Sequence, residues 1–290
     1  MLEAIYCYVD DFHKKYSPQI EKSLIFSGSK LRRRLCKLSE PEIITILILF
    51  HQSHYRNFKH FYLNQVQKHL KNDFPQLVSY NRFVELQPRC LIYITLLSKM
   101  YQPKETGFYF IDSTPIEVCH IKREKQHKVF KFEAEKSCST KGYYFGFKLH
   151  LVVNDMGEII NFKLTSSKTD DRVPVRHLTQ NLLGKLIGDK GYISQKLTNT
   201  LKHKGLELIT KVRKNMKPRF LSAFDKALLR KRAIIESVND QLKNISQIEH
   251  TRHRSIYNFM TNIIAGIMAY NFKPKKPSIN MEITNQLMKI

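Results

Sequence analysis

Residues 107–112 have the sequence Gly-Phe-Tyr-Phe-Ile-Asp, in which four large apolar side chains run directly into a carboxylate. A short, uninterrupted run of aromatic and β-branched residues is typical of a buried strand at the centre of a sheet. Asp112 ends this predicted strand, at a place where core packing has no use for a charged side chain. The run therefore predicts both a central strand and a candidate functional carboxylate.

The residues that follow alternate between strand and helix patterns. Residues 145–154 alternate apolar and polar side chains, and residues 154–157 turn the chain into 158–165, which predicts a β-hairpin. Further strands are predicted at 186–188 and 207–212, and helices at 172–183, 194–203, 221–244 and 255–272. This order predicts an α/β domain over residues 105–275, with a mixed five-stranded sheet flanked by helices.

The first part of the chain reads as helices. Ser39, Pro41 and Glu42 form a capping box with proline in the first turn, which marks the start of one of them. Residues 1–104 are therefore predicted to form an all-α N-terminal domain, which binds DNA, mediates dimerisation, or does both. Residues 276–290, beyond a Pro- and Lys-rich segment, are predicted to be a loose C-terminal tail.

The charge of the chain points to a polyanionic partner. There are 49 Lys and Arg against 25 Asp and Glu, which gives a net charge of +24 and a pI of about 9.8. Nucleic acid is favoured over a membrane surface because the basic residues are spread along the whole chain. Residues 120–144 are predicted to form a basic loop or flap, whose candidate DNA-binding residues are Lys122, Arg123, Lys125 and Lys128.

The sequence also suggests a cellular location. The longest apolar run, residues 43–50, is too short to span a bilayer, and no export signal is recognisable at the start. The five cysteines are scattered without a paired spacing, as expected for reduced thiols. We therefore expect a cytosolic protein with no membrane partner.

Three carboxylates are candidates for metal-dependent chemistry on a phosphodiester. Asp112 and Asp189 each follow a predicted buried strand, and Lys190 and Gly191 come directly after the second of them. The alternative for each aspartate is an ordinary turn or helix cap. Two Mg²⁺ ions held by a few converging carboxylates would activate a water and neutralise charge on the phosphate.

Glu236 lies in a predicted helix with a cation on either side. At about 100° per residue, Arg232 falls roughly 40° and Lys243 roughly 20° from Glu236, so all three share one face. One interpretation is a solvated polar face with an Arg–Glu pair. The other is a site in which Glu236 binds a metal ion while Arg232, Lys243 and Lys190 hold phosphate oxygens.

Several other polar residues have simpler interpretations. Asp170 and Asp171 are predicted to cap the following helix, with a supporting role beside a metal as the alternative. His120, His127 and His150 lack the spacing of metal ligands and are predicted to be surface or packing residues. The aromatic residues at 143–145 are predicted to pair within the hairpin, with stacking on unpaired bases as the alternative.

Three residues separate Arg232 from Glu236, and six separate Glu236 from Lys243. This pattern resembles the signature around the final glutamate of DDE transposases from bacterial insertion sequences. Asp112-Ser-Thr and Asp189-Lys-Gly-Tyr resemble the first and second aspartate motifs of that group, and the resemblance runs from Gly107 to about Phe272. The insertion sequence 982 family, which also has a helical N-terminal region, is the most similar branch. Leu229 departs from the fuller signature, which has tyrosine there, and an aromatic contact to a flipped base is therefore not expected.

The resemblance implies an RNase H-like fold and a transposase that binds the terminal inverted repeats of its element. It implies catalysis of strand cleavage and strand transfer by Asp112, Asp189 and Glu236 with two Mg²⁺ or Mn²⁺ ions per site. It further implies a homodimer or higher multimer that binds double-stranded DNA. This DNA comprises the terminal inverted repeats and the target, and the protein is expected in the bacterial cytoplasm at the nucleoid. The alternatives are a non-catalytic repressor derived from a transposase and an RNase H-like nuclease specific for DNA structure.

Overall fold

The computed structural model describes residues 2–26, 36–101, 103–139, 142–213, 215–216, 220–249 and 253–279. The chain divides into two compact units. The first contains Met1–Tyr101 and Leu242–Lys273, and the second contains Gln102–Gln241 and Pro274–Ile290. This division differs from the expected boundaries, because residues 242–273 join the N-terminal helices instead of the sheet-containing unit.

The first unit is helical, as expected. Ser39 caps the second of its helices, since its hydroxyl accepts from the Glu42 backbone while the Glu42 carboxylate accepts from Ser39 N at 2.7 Å. The apolar faces of that helix and of the last helix of the unit pack together around Ile46, Ile48 and Ile267, all with 0% exposure. The helices of this unit are α1 (Leu2–Phe26), α2 (Glu40–Gln52), α3 (Phe58–Phe61), α4 (Gln67–His69), α5 (Tyr80–Leu86), α6 (Leu91–Met100) and α11 (Ile256–Asn271).

The second unit contains a six-stranded sheet with helices against it, which confirms the α/β class. Its strands are β1 (Phe108–Cys119), β2 (Glu135–Ser139), β3 (Gly142–Asn154), β4 (Ile159–Ser166), β5 (Gly184–Gly188) and β6 (Leu206–Thr210). Its helices are α7 (Val175–Leu178), α8 (Gln195–Lys202), α9 (Ala223–Lys231) and α10 (Ala233–Asp240).

The order of the strands is that of an RNase H-like sheet. β1 pairs antiparallel with β3, β3 pairs antiparallel with β4, and on its other edge β1 pairs parallel with β5, which pairs parallel with β6. The sequence predicted five of these strands. The sixth, β2, pairs with β3 along residues 142–146, beside the stretch of β3 that pairs with β4.

The segment expected to be a basic flap is more ordered than predicted. Ile121–Gln126 forms a 3₁₀-helix capped by His120, and residues 135–139 form β2. The side chains of β2 are polar, so its sequence carries no strand pattern, and its pairing with β3 decides its structure. Lys141, which belonged to the same prediction, lies outside the described residues.

One face of the sheet packs against helices in an apolar cluster. Tyr109, Ile111 and Leu186 contribute from the strands, and Leu178 and Leu201 contribute from α7 and α8. α7 is much shorter than the predicted helix over 172–183. Pro174 disfavours helical geometry at the residue before it, and Asn181 adopts a positive φ of 72°.

The start of the expected tail is packed rather than loose. Ile279 donates its N–H to the Asp155 carbonyl at 2.8 Å and is only 9% exposed. Gly157 adopts a φ of 70° beside Pro277, and a side chain there would collide with the Pro277 carbonyl. Residues 277–279 therefore cover the turn between β3 and β4, and residues 280–290 lie outside the described part.

Candidate active site

Asp112 and Asp189 lie at the same end of the parallel strands. Parallel pairing between β1 and β5 ends at Phe110 and Ile187, and each aspartate comes two residues later. Asp112 itself is in the middle of β1, because this strand continues to Cys119 in register with β3. The prediction that Asp112 ends its strand is therefore wrong, although the parallel part of the strand does end beside it.

Asp189 forms the turn that leaves β5. Its Oδ1 accepts from Gly191 N at 2.8 Å, so the aspartate caps the short 3₁₀-helix Lys190–Tyr192. A side chain at position 191 would approach this carboxylate oxygen to 3.0 Å. The turn interpretation considered from the sequence is thus correct for Asp189, and Asp189 stays exposed while it caps.

Tyr192 is buried close to Asp112 and Asp189. Its ring packs against Gly188, where an added Cβ would lie 3.0 Å from a ring carbon, and the residue is 1% exposed. Burial, with the charges of Asp112, Asp171 and Asp189, raises the pKa of the Tyr192 hydroxyl above its usual range. Tyr192 thus stays neutral and supports the strand ends by packing.

Glu236 lies on α10, which packs against β1. The Arg232 guanidinium donates to the Glu236 carboxylate, one turn later on the helix, and its Nη1 also lies 3.8 Å from Asp112 Oδ1. The Arg–Glu pair considered from the sequence is therefore present. The structure adds that the same guanidinium contacts two of the three candidate carboxylates.

The carboxyl group of Asp112 interacts electrostatically with the other charged groups of the site. Burial is the main cause that raises the pKa of its carboxyl to about 6, and repulsion by Asp189 and Glu236 adds to it. The Arg232 charge and a hydrogen bond from Ser113 N act in the opposite direction. Asp189 and Glu236 are therefore each close enough to Asp112 to act on its carboxyl group.

The arrangement of these carboxylates bears on whether they fit a metal ion. Within the described residues, no group of three His, Cys, Asp or Glu side chains is arranged to hold an ion. Arg232 instead neutralises Asp112 and Glu236. Carboxylate oxygens are nevertheless the donors that Mg²⁺ and Mn²⁺ prefer. The chemistry of the donor set therefore fits a divalent cation, while two of its members are paired with Arg232 in this structure.

A cavity of about 250 Å³ lies beside Asp189. Three cations and one carboxylate line it, so it is suited to an anion. Lys211, the cation that the sequence analysis missed, directly follows β6, and the rule that parallel strands end at one edge would have found it. Leu229 makes an apolar part of the wall. The cavity is lined by Gly188, Asp189, Lys190, Lys211, Leu229 and Arg232.

The remaining predicted DNA-binding residues are not assembled around this cavity. Lys122, Arg123, Lys125 and Lys128 are exposed, in or next to the 3₁₀-helix beyond the end of β1. Lys243 belongs to the first unit, where its Nζ lies 2.9 Å from Glu249 Oε1. Only Lys190 and Arg232 of the predicted phosphate-binding set line the cavity.

The two aspartates before α7 do not cap it, because α7 begins at Val175 with Pro174 at the cap position. Asp170 Oδ1 instead accepts from Arg172 N at 2.9 Å within a tight turn. Asp171 Oδ1 lies 3.1 Å from Lys148 Nζ, with the His150 ring 3.8 Å away. The capping prediction was wrong, and Asp171 is a partly exposed residue that pairs with Lys148 and affects the pKa of Tyr192.

The histidines and aromatic residues have packing roles. His150 is fully buried, its Nε2 lies 2.9 Å from Thr165 Oγ1, and burial lowers its pKa to about 4. His127 stacks on Phe130. Tyr144 is buried in the hairpin, whereas Tyr143 is 67% exposed with the Lys136 ammonium over its ring.

The family described as "Transposase DDE domain" matches residues 102–256, which is 155 of the 290 residues. Among solved structures, a piggyBac transposase from a cryo-EM synaptic complex with hairpin DNA is 9% identical with a TM-score of 0.47. That alignment covers 98% of this chain and 76% of the other. No curated protein matches the sequence.

In the described part of the chain, no helix is both long and apolar enough to cross a membrane. The family match begins six residues before β1 and includes Asp112, Asp189, Arg232 and Glu236. Because it spans more than half of the residues, the chain belongs to the family of transposases with a DDE domain.

Proposed function

We propose that this protein is the transposase of a bacterial insertion sequence, of the 982 family, and that Asp112, Asp189 and Glu236 form its catalytic site. The observation that carries the proposal is geometric. Asp112 and Asp189 each lie two residues past the end of the parallel pairing between β1 and β5, and Arg232 contacts both Asp112 and Glu236. Carboxylates placed in this way supply the oxygen ligands that a divalent cation prefers. The proposed reaction is cleavage of DNA and joining of the released end to a target, and membership of the DDE family supports it.

The proposed cofactor is Mg²⁺ or Mn²⁺, with two ions per site. Asp112 and Asp189 would share one ion, and Glu236 would complete the second. When bound, such ions lower the pKa of a water and neutralise charge that develops on the phosphate. Asp112 supports this role because its pKa of about 6 leaves it mainly ionised at neutral pH.

The cavity beside Asp189 is the proposed place for a phosphate of the reacting strand. Lys190 and Lys211 form no ion pair within the described residues, so their charges are available to a phosphate. Arg232 is the third cation of the wall, and a phosphate there would compete with Asp112 and Glu236 for its guanidinium. We propose that Arg232 turns to the phosphate when DNA binds, which frees the carboxylates.

The remaining basic residues would hold the DNA outside the reacting phosphate. The net charge of +24 favours such contacts at low salt. Lys122, Arg123, Lys125, Lys128 and Lys243 are proposed contacts to the terminal inverted repeats or to target DNA. The helical unit is proposed to bind the repeats or to join subunits of a dimer or larger multimer, in the cytoplasm at the nucleoid.

The test is cleavage of labelled duplex DNA taken from either end of the protein's own gene, with Mg²⁺ and with EDTA. We expect nicks at the element ends with Mg²⁺, no nicks with EDTA, and joining of the 3′ ends to a target duplex. Asp112→Asn, Asp189→Asn and Glu236→Gln should each abolish cleavage while DNA binding persists.

Glu207→Gln is the matched control, because Glu207 lies at the opposite end of the parallel strands, paired with Lys185. This variant should cleave normally. Cleavage that survives in any of the three carboxylate variants would refute the site. Binding without cleavage by the wild type would indicate a repressor, and cleavage without end joining would indicate a nuclease.

A further inference from the structure

Asn239 contacts Asp112 directly. Its Nδ2 donates a hydrogen bond to Asp112 Oδ2 at 3.2 Å, while the other oxygen of the same carboxylate faces Arg232 at 3.8 Å. Asn239 is only 8% exposed. The Asp112 carboxylate is therefore held between two residues of the helical segment that carries Glu236.

The spacing along α10 places these residues on one side of the helix. At about 100° per residue, Asn239 lies roughly 60° from Glu236 and roughly 20° from Arg232. Its neighbours Ile235 and Val238 are fully buried apolar residues. Asn239 thus lies one turn beyond Glu236 on the side of the helix that carries Arg232 and Glu236, at the edge of the apolar core.

The second polar atom of Asn239 has no partner in the described part of the chain. Its Oδ1 is buried and accepts no hydrogen bond from the described residues. An ionised carboxylate can only accept, so the amide must present its Nδ2 to Asp112 and keep its carbonyl oxygen for something else. A buried acceptor without a partner is unfavourable for folding, which indicates a role other than stability.

We propose that Asn239 is a positioning residue of the divalent-cation site. Its Nδ2 fixes the orientation of the Asp112 carboxylate, and its Oδ1 supplies a further neutral oxygen to the cation, directly or through a water that the cation holds. This inference rests on the proposed function. It adds a fourth residue to the three carboxylates, and amide oxygens are suitable ligands for such cations.

The test is titration with Mn²⁺ in the absence of DNA, followed by the electron paramagnetic resonance signal of the free ion. Asn239→Leu keeps the approximate size of the side chain and removes both polar atoms. We expect it to weaken Mn²⁺ binding by about 10- to 100-fold, as is typical when a partner of a metal ligand is lost. Asn239→Asp keeps an oxygen for the cation but loses the donor to Asp112, so it should bind Mn²⁺ more tightly than Asn239→Leu and less tightly than the wild type.

Two controls separate positioning from folding. Val238→Ala creates a cavity next to Asn239 and should lower the urea midpoint without weakening Mn²⁺ binding. Ser237→Ala changes an exposed residue on the same helix and should alter neither measurement.

Three results would overturn the inference. Wild-type affinity in Asn239→Leu is the first, and equal weakening in Val238→Ala is the second. If the leucine variant does not fold, wild-type affinity in a folded Asn239→Ala is the third. Asp112→Asn is titrated alongside, because a wild type that binds Mn²⁺ no better than this variant would refute the proposed function itself.

Discussion

Replacing Arg232 by glutamine is expected to strengthen the binding of a divalent cation and, at the same time, to impair cleavage of DNA. Arg232 contacts Asp112 and Glu236, so a cation bound by these two carboxylates would displace it. Removing the guanidinium removes this competition. It also removes a group that would hold the reacting phosphate.

The size of the effect follows from the geometry. Two unit charges 3.8 Å apart interact by about 4 kcal/mol at an effective dielectric constant near 20. The side chains of Arg232 and Asp112 are 24% and 21% exposed, so solvent screens part of this energy. We take about 1–2 kcal/mol as the net value, which corresponds to a five- to thirtyfold change in affinity, roughly.

The assay is titration with Mn²⁺ at pH 8, with and without a duplex from the element end. This pH is chosen because loss of Arg232 raises the pKa of Asp112 further above 6, and protons would compete with the cation at lower pH. Without DNA, Arg232→Gln should bind Mn²⁺ more tightly than the wild type. DNA should increase the Mn²⁺ affinity of the wild type but not that of the variant, since the two ligands are coupled through Arg232.

Arg230→Gln is the matched control, because Arg230 is exposed on α9 and its replacement changes the net charge equally. It should leave Mn²⁺ binding unchanged. Weaker Mn²⁺ binding in Arg232→Gln without DNA, or an equal gain in Arg230→Gln, would refute the reasoning.

Two further predictions concern the same site. Because the folded-state pKa of Asp112 is raised from 3.8 to about 6, its charge destabilises the metal-free fold once the pH rises through this interval. Asp112→Asn should therefore increase the free energy of unfolding of the metal-free protein by up to about 3 kcal/mol at pH 8 and by little at pH 4. Urea titrations at the two pH values measure this. An equal effect at both would contradict the raised pKa of Asp112. Lys211→Ala should weaken binding of end DNA and reduce the slope of log affinity against log salt by about one. The control is Lys202→Ala, because Lys202 is exposed on α8 and does not line the cavity. An unchanged slope in Lys211→Ala would show that Lys211 does not contact a phosphate.

Elements with local signals were predicted correctly. The capping box at Ser39 joins residues three apart, and Ser194 caps α8 through Leu197 N at 3.3 Å in the same way. The hairpin of β3 and β4 turns through residues 154–157 as predicted. In each case the interacting atoms are close in sequence, so the pattern of side chains contains the information.

Elements that depend on distant partners were predicted less well. The polar strand β2 forms because β3 offers it a free edge, and no pattern in its own sequence reveals this. α11 was assigned to the sheet-containing domain because it follows α10 in sequence. Its apolar surface packs with α2 and α6, more than 150 residues earlier, and the division of the chain follows that packing.

The candidate site shows the same limit. The sequence named Asp112, Asp189 and Glu236, and it identified Arg232 and Lys190 as cations near them. It did not find Asn239 or Lys211, because an asparagine in a helix and a lysine after a strand are common in a basic chain. Asn239 became visible only through its contact with Asp112, whereas Lys211 carried a signal in its position directly after a parallel strand.

By itself, the amino-acid sequence determined the types and order of most helices and strands, the surplus of positive charge and the positions of the three carboxylates. Only the tertiary structure decided that one guanidinium joins Asp112 to Glu236 and that a buried amide holds the other side of Asp112. The physical reason is that helix caps and hydrophobic periodicity act over a few residues. The energies of these contacts, in contrast, depend on distances between groups that more than a hundred residues of chain separate.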